Sequence, residues 1–239
     1  MDFLFLEEVD STNKYAKENF AKLDDFTIIY TNNQTAGRGR LERKWENIGK
    51  DNIYASILIK PNCEISNVFS NLTQYLCLIL AETFEEYGVK PQIKWPNDIR
   101  INKKKISGIL AESVVTGNKL DALILGFGVN LNCKEDVIKN INQPATSLNI
   151  EIGMEIDKKT FLKKVADKFC LRYNKFIKEG FLLIREDYIR RAEFLDAPVT
   201  VKVFDKKISG LAKNITKDGA LEIVDGNNKK HVLLIGDIL

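Results

Sequence analysis

Four stretches of the chain carry side chains suited to chemistry. The first is Gln34-Thr-Ala-Gly-Arg-Gly-Arg-Leu-Glu-Arg-Lys-Trp45. Gly37 and Gly39 let backbone amides approach an anion, while Arg38, Arg40 and Arg43 present forked donors that fit carboxylate or phosphate. From Arg38 to Lys50 there are five basic and two acidic residues, a local net charge of +3. Trp45 offers a flat face for stacking on a planar base or ring. A solvated basic loop, or a landing site for an acidic partner, explains the same residues, and on composition alone the two readings stand level. A Walker A loop is excluded by the missing Gly-Lys-Ser/Thr ending. A dinucleotide fold is excluded because no helix with an apolar face opens directly afterwards.

The second stretch is Lys94-Trp95-Pro96-Asn97-Asp98, in which Pro96 holds Trp95 extended and so gives Lys94 a defined direction. Its plain alternative is a Pro-Asn-Asp turn between strands, and taken singly that alternative is favoured. The third is Lys105-Ile-Ser-Gly-Ile-Leu-Ala-Glu112, followed by Gly126-Phe-Gly-Val-Asn130. Gly108, Gly126 and Gly128 inside strand patterns imply close approach of a ligand or of another part of the chain, and Asn130 could offer an amide to a phosphate. The fourth, Asp10-Ser-Thr-Asn13, is a helix N-cap whose spare hydroxyl and amide groups can also bind a small polar ligand.

The rest of the composition removes competing mechanisms. The chain has 239 residues and a single histidine, His231, in a strand-like setting near the end. Triads, histidine metal centres and histidine phosphocarriers would all rest on that one ring. Chemistry must therefore run on lysine, arginine, backbone amides or a metal held by oxygen. Cys63, Cys77, Cys133 and Cys170 form no CxxC pair and read as reduced thiols of a cytosolic protein. A net charge of +3 is too small and too dispersed for a typical nucleic-acid binder. No apolar run approaches the roughly 20 residues that span a bilayer, and the first residues lack the form of a secretory signal. A cytoplasmic, non-membrane protein is expected.

The elements that would position these groups can be read from periodicity. A helix is expected at 11–22, strands at 26–31 and 52–60, and between them a polar loop at 33–51 whose length favours function. Val68, Phe69, Leu72, Leu76, Ile79, Leu80 and Phe84 recur at three and four residues, a helix ending near Gly88. Strands follow at 92–95, 99–101, 106–115 and 120–131. A helix at about 160–179 and a further helical segment run to Phe194. Short strands at 199–204, 208–215, 220–224 and 231–234 suggest a small antiparallel barrel too small to hold a core alone. The expected division is 1–194 for a catalytic domain and 195–239 for the barrel.

In this order, the four segments resemble the biotin–protein ligase family. Its pattern runs Ser-Thr-Asn, Gly-Arg-Gly-Arg-x-Gly-Arg-x-Trp, Lys-Trp-Pro-Asn-Asp, Lys-x-x-Gly-Ile-Leu-x-Glu, then a glycine-rich strand ending in Asn. The resemblance covers nearly the whole chain and implies an α+β fold: a mixed sheet flanked by helices, of the class II aminoacyl-tRNA-synthetase-like kind, with a C-terminal SH3-like barrel as lid or acceptor dock. It implies biotin and ATP as substrates with Mg2+. Biotinyl-5'-AMP would form first, and biotin would then pass to a lysine of a biotin carboxyl carrier protein.

Carried over position by position, the resemblance places Ser11, Thr12 and Gln34 on the ureido ring, with Asn13 beside them and Gly37 and Gly108 bordering biotin. Arg38, Gly39 and Arg40 would meet the biotin carboxylate and the adenylate phosphate. Arg43 would meet phosphate, Trp45 would stack on adenine, and Asn130 would lie near the adenylate. Lys94 would sit between the carboxyl oxygen and the α-phosphate, with Lys94 and Arg40 as the catalytic pair and no protein metal ligands assigned. The chain departs from the pattern at Glu42, where the family usually has glycine. Ser11-Thr12-Asn13 comes so early that an N-terminal DNA-binding repressor domain is not expected. Monomer and homodimer remain open, as do two other functions: a lipoate–protein ligase-like acyl transferase, and a non-catalytic anion- or RNA-binding module.

Overall fold

The computed structural model describes residues 1–41, 43–61, 63–64 and 67–239, with the backbone alone at 63, 64 and 67. The departure at Glu42 and the side chain of Cys63 thus lie outside the described residues.

The first half of the chain supplies β1 (Asp2–Val9), α1 (Thr12–Asn19), β2 (Thr27–Gln34), β3 (Ile53–Ile59), β4 (Cys63–Glu64), α2 (Asn67–Ser70) and α3 (Leu72–Glu85). There follow β5 (Gln92–Lys94), β6 (Asp98–Ile101), β7 (Lys104–Thr116), β8 (Lys119–Val129), α4 (Glu135–Ile138), α5 (Leu148–Ile152), α6 (Lys158–Glu179) and α7 (Arg185–Arg190). The chain then forms β9 (Pro198–Val203), β10 (Lys206–Ile215), β11 (Leu221–Val224), β12 (Lys230–Leu233) and β13 (Asp237–Ile238).

The large sheet runs β1-β2-β3-β8-β7-β6-β5, with β4 also paired to β8. β1 and β2 are parallel and the other neighbours antiparallel, so the sheet is mixed. Strand alternation sends successive side chains to opposite faces. Ile28, Ile57, Leu123, Leu125 and Phe127 enter the main core, where α3 and α6 pack. Ile29, Leu58, Ala122 and Ile124 point the other way and join Ala16 of α1. Helices therefore cover both faces.

Helix α3 is buried along most of its length, as its apolar periodicity predicts. Tyr75 stacks on Phe176 at 4.5 Å, meets Phe169 edge-on at 5.0 Å, and donates its hydroxyl to the Phe169 carbonyl at 2.6 Å. Burial of that phenol pushes its pKa well up.

Three findings differ from the sequence-based expectation. β1 is a full edge strand where no element is predicted, because its Phe-Leu-Phe-Leu run masks the alternation. The 33–51 loop is folded: Arg38 and Lys44 form a bridge, Gly39 N donates to Arg43 O, and Trp45 N donates to Gly37 O, making a small hairpin. The predicted C-terminal barrel is an open sheet of order β12-β11-β10-β9-β13. β13 has only two residues and spends its pairing on β9, leaving β12 and β13 as separate edges. This second sheet shares the main core through Val201, Ala212, Ile215, Leu221 and Ile223. It is tied down further by Gly219, whose carbonyl accepts from Gln74 Nε2 at 2.9 Å and from Trp95 Nε1 at 3.4 Å. His231 pairs with Asp225 at 2.7 Å and closes the β11–β12 hairpin, and this contact holds the Asp225 carboxyl below its usual range.

Phe169 is fully buried between two aromatic rings. Phe169→Ala should lower unfolding free energy by about 3–5 kcal/mol in urea titration, the usual cost of an aromatic cavity. A loss within error of zero would mean that α3 and α6 do not share this core.

Candidate functional site

The face of the large sheet that carries α1 changes character along β8. Ala122 and Ile124 pack against the helix, and the next two residues on that face are Gly126 and Gly128. Gly128 pairs with Gly108 of β7, and Gly126 pairs with Ser56 of β3. The side chains thus run out just beyond the N-terminus of α1, leaving a hollow of about 100 Å3. A Cβ on Gly126 would overlap the Asn13 amide, and one on Gly128 would overlap the Trp45 ring. Both glycines are needed for close approach.

One end of the hollow is neutral and polar. Ser11 caps α1, accepting from Lys14 N at 3.4 Å. Gln34 Oε1 accepts from Thr12 N at 3.0 Å and Thr12 Oγ1 at 3.2 Å. Buried Ser56 donates to Asn13 Oδ1 at 2.6 Å and lies 2.8 Å from Thr12 Oγ1. Asn13 Nδ2 donates to Leu110 O at 3.1 Å and Glu112 Oε2 at 2.8 Å. The Gln34 Nε2 group makes no hydrogen bond among the described residues, so this end has a donor to offer.

The other end is cationic. Six basic side chains and two carboxylates line the hollow, so an entering anion meets a net positive field. Arg38 reaches both Glu112 oxygens at 3.1 Å, and Arg40 ion-pairs with Asp237 at 3.2 Å. Lys105 pairs with Asp98 at 2.8 Å and lies 5.5 Å above the Trp45 ring. Lys94 differs from all of these. It ends β5 opposite Asp98, is half-buried, and makes no ion pair or hydrogen bond among the described residues. Burial, assisted by the Arg100 charge, pushes its pKa below 10.5. Such a group is an ammonium short of partners, facing a space that can take an anion.

Of the residues singled out in the sequence, Ser11, Thr12, Asn13, Gln34, Arg38, Gly39, Arg40, Arg43, Trp45, Lys94 and Gly108 border this one hollow. Gly37 stands just behind it, where a Cβ would come within 2.8 Å of Gln34 Nε2. Asn130 is placed apart: it is buried and its Nδ2 donates to Thr146 O at 3.0 Å. Asn97, Asp98, Lys105 and Glu112 also belong to the surroundings; they lie in the motifs singled out in the sequence but were given no binding or catalytic role there. The register of β6 and β7 puts Asp98 opposite Gly108 and Lys105 opposite Arg100, so strand pairing alone would not have signalled the Asp98–Lys105 pair. Asp237 had no local signal at all.

Residues 5–130 match the biotin/lipoate A/B protein ligase family. The chain belongs to this family. A biotin–[acetyl-CoA-carboxylase] ligase from Paracoccus denitrificans is similar to it, at 30% identity over 98% of both chains. The bifunctional ligase/repressor BirA of Bacillus subtilis is 29% identical over 96% of this chain, which spans 71% of that longer family member. Among solved members, the Aquifex aeolicus biotin protein ligase in complex with biotin and ATP superposes with a TM-score of 0.84 at 28% identity, covering 100% of this chain and 97% of that one. The mixed sheet with flanking helices is the family's fold.

The packing of Trp45 on Gly128 can be tested by optics, since Trp45 and the buried Trp95 are the two tryptophans. Gly128→Ala should expel the Trp45 ring and shift the emission of the folded protein to the red. An unchanged spectrum would place the ring elsewhere.

Proposed function

We propose that the chain is a biotin–protein ligase that makes biotinyl-5'-AMP from biotin and ATP and transfers biotin to a lysine of a biotin carboxyl carrier protein. The observation that carries this reading is Lys94, a half-buried ammonium with no ion pair among the described residues, bordering the same hollow as the neutral polar groups and the arginines. Similarity to ligases from Paracoccus and Aquifex supports the substrate class.

The neutral end suits a ureido ring, with Ser11, Thr12 and Gln34 supplying hydrogen bonds and Asn13 held beside them by Ser56 and Glu112. A carboxylate at the far end of biotin would then reach Lys94, Arg38, Gly39 and Arg40. In the first step a carboxylate oxygen attacks the α-phosphorus and the bond to pyrophosphate breaks. In the second, the acceptor amine attacks the acyl carbon, loses a proton, and AMP leaves. Both steps gather negative charge on phosphoryl oxygens, so positioned cations do the catalysis and no protein nucleophile is required. Lys94 sits where carboxylate and phosphate would otherwise repel, Arg43 lies further out towards phosphate, and Trp45 offers its ring to adenine. The Asn130 amide gives one N–H to Thr146 O, so a contact to the adenylate would use its second N–H or its Oδ1.

No three His, Cys, Asp or Glu side chains gather as a metal cage among the described residues. Magnesium would arrive with the nucleotide substrate, bound through its phosphates. No helix among the described residues is long and apolar enough to cross a membrane.

Biotin-dependent ATP–pyrophosphate exchange tests the reading. Exchange driven by lipoate instead would move the chain to the other branch of its family, and no exchange with either acid would indicate a binding module. Lys94→Ala should lower exchange by about 10²–10³-fold, the scale of one lost electrostatic contact to the transition state, with the melting temperature retained. Only the charged amine helps, so exchange should fall as pH rises through the lowered Lys94 pKa, below 10.5. Lys94→Arg, which keeps its charge at any accessible pH, should remove that fall even if its rate is lower.

A further inference from the structure

We propose that Asp237, from the last strand of the C-terminal sheet, is a positioning residue that holds Arg40 over the hollow before substrate arrives. The inference rests on the ligase reading above and adds to it a residue outside every motif of the sequence.

Arg40 lies near the tip of the hairpin, yet its side chain is only 26% exposed. Its guanidinium makes three contacts: hydrogen bonds to Asn97 Oδ1 at 3.3 Å and to the Gly236 carbonyl at 3.2 Å, and an ion pair with Asp237 Oδ1 at 3.2 Å. Asn97 belongs to the turn that follows Lys94, and donates to Ile109 O at 2.7 Å. One side chain therefore joins the hairpin, the Lys94 turn and the second sheet.

The acceptors are built for this cation. The Asp237 side chain is 8% exposed, and its Oδ2 is buried without a hydrogen bond, with Arg43 Nη2 at 3.9 Å. A carboxylate so placed is costly unless a cation stands against it. Gly236 takes φ +144, and a Cβ there would come within 2.6 Å of Val201 Cγ1, so the strand approach that aims its carbonyl at Arg40 is open to glycine alone.

Asp237 is itself unsuited to touch the substrates, which are anions. It acts through Arg40. A guanidinium has five N–H donors, and two hydrogen bonds leave donors free for a carboxylate or phosphate. The clasp and the substrate are not rivals for Arg40. What the clasp removes is the freedom of a long side chain and of its loop, a cost that binding would otherwise meet.

The test has two arms. In the first, ligand-free protein is digested with trypsin and cleavage at Arg38, Arg40, Arg43 and Lys44 is timed. Asp237→Asn keeps the shape and removes the charge; loop cleavage should speed up about tenfold, the scale of one lost ion pair to a largely buried carboxylate. Arg40→Lys keeps a charge and a cleavage site but cannot span the three contacts. It should also be cut faster, even if the Asp237 variant folds poorly. Wild-type cleavage rates in both variants would overturn the proposal. In the second arm, Asp237→Asn should raise the KM for ATP in pyrophosphate exchange by about tenfold, with the melting temperature unchanged, and should have no further effect in an Arg40→Ala background. An equal loss in that background would show a general structural role and overturn the positioning claim. Absence of exchange in the wild type would count against the ligase reading alone, because the trypsin arm needs no substrate.

Discussion

Everything at the site depends on a strand face that has been emptied of side chains. On one side of β8, Leu123, Leu125 and Phe127 fill a dry core; on the other, Ile124 gives way to Gly126 and Gly128. The sheet can afford this because its opposite face carries the packing. Hydrophobic burial beneath the floor keeps the backbone in place, and its upper surface is free for Asn13, the Trp45 ring and a ligand to come within contact of the strand itself. A single methyl on either glycine would collide with one of those groups. The polar end, the loop and the hollow all take their position from that floor.

Charge is arranged above the floor with a clear division. Arg38, Arg40 and Lys105 each have a carboxylate from another element, whereas Lys94 has none among the described residues. Paired cations keep their place without ligand and resist desolvation; an unpaired one loses solvation on burial, which is why its pKa falls. The arrangement thus puts an unmet demand for an anion at Lys94, a lysine that borders the hollow. A local charge imbalance selects that lysine from the chain's many surface cations.

How much of this could be read from the sequence depended on the range of the interaction concerned. Helices α3 and α6 announce themselves through apolar residues at three and four positions, since burial against one face imposes that period. Ser11, Arg38 and Lys94 were accessible because each lies in a short motif whose residues meet within one turn or one strand end. β1 was not, because Phe3 and Phe5 are exposed while Leu4 and Leu6 pack inward, so both faces of an edge strand read as apolar. The barrel failed for a related reason: strand spacing predicts hairpins but not whether the first and last strands meet. Asn130 looked available because its amide partner, the Thr146 carbonyl, comes from a later loop. Asp237 was invisible for the same cause, its partner lying far back in the chain.

That last separation bears on when the protein can finish its site. Synthesis runs from the N-terminus, and domains begin to fold as they emerge. The segments that form the glycine floor, the α1 cap and the Lys94 turn have all been synthesised once β8 is made. The contact from Arg40 to Gly236 joins residues 196 positions apart, so the loop stays without its clasp until the C-terminal sheet has been made. The order of residues along the chain makes closure of the hollow the final event in its assembly.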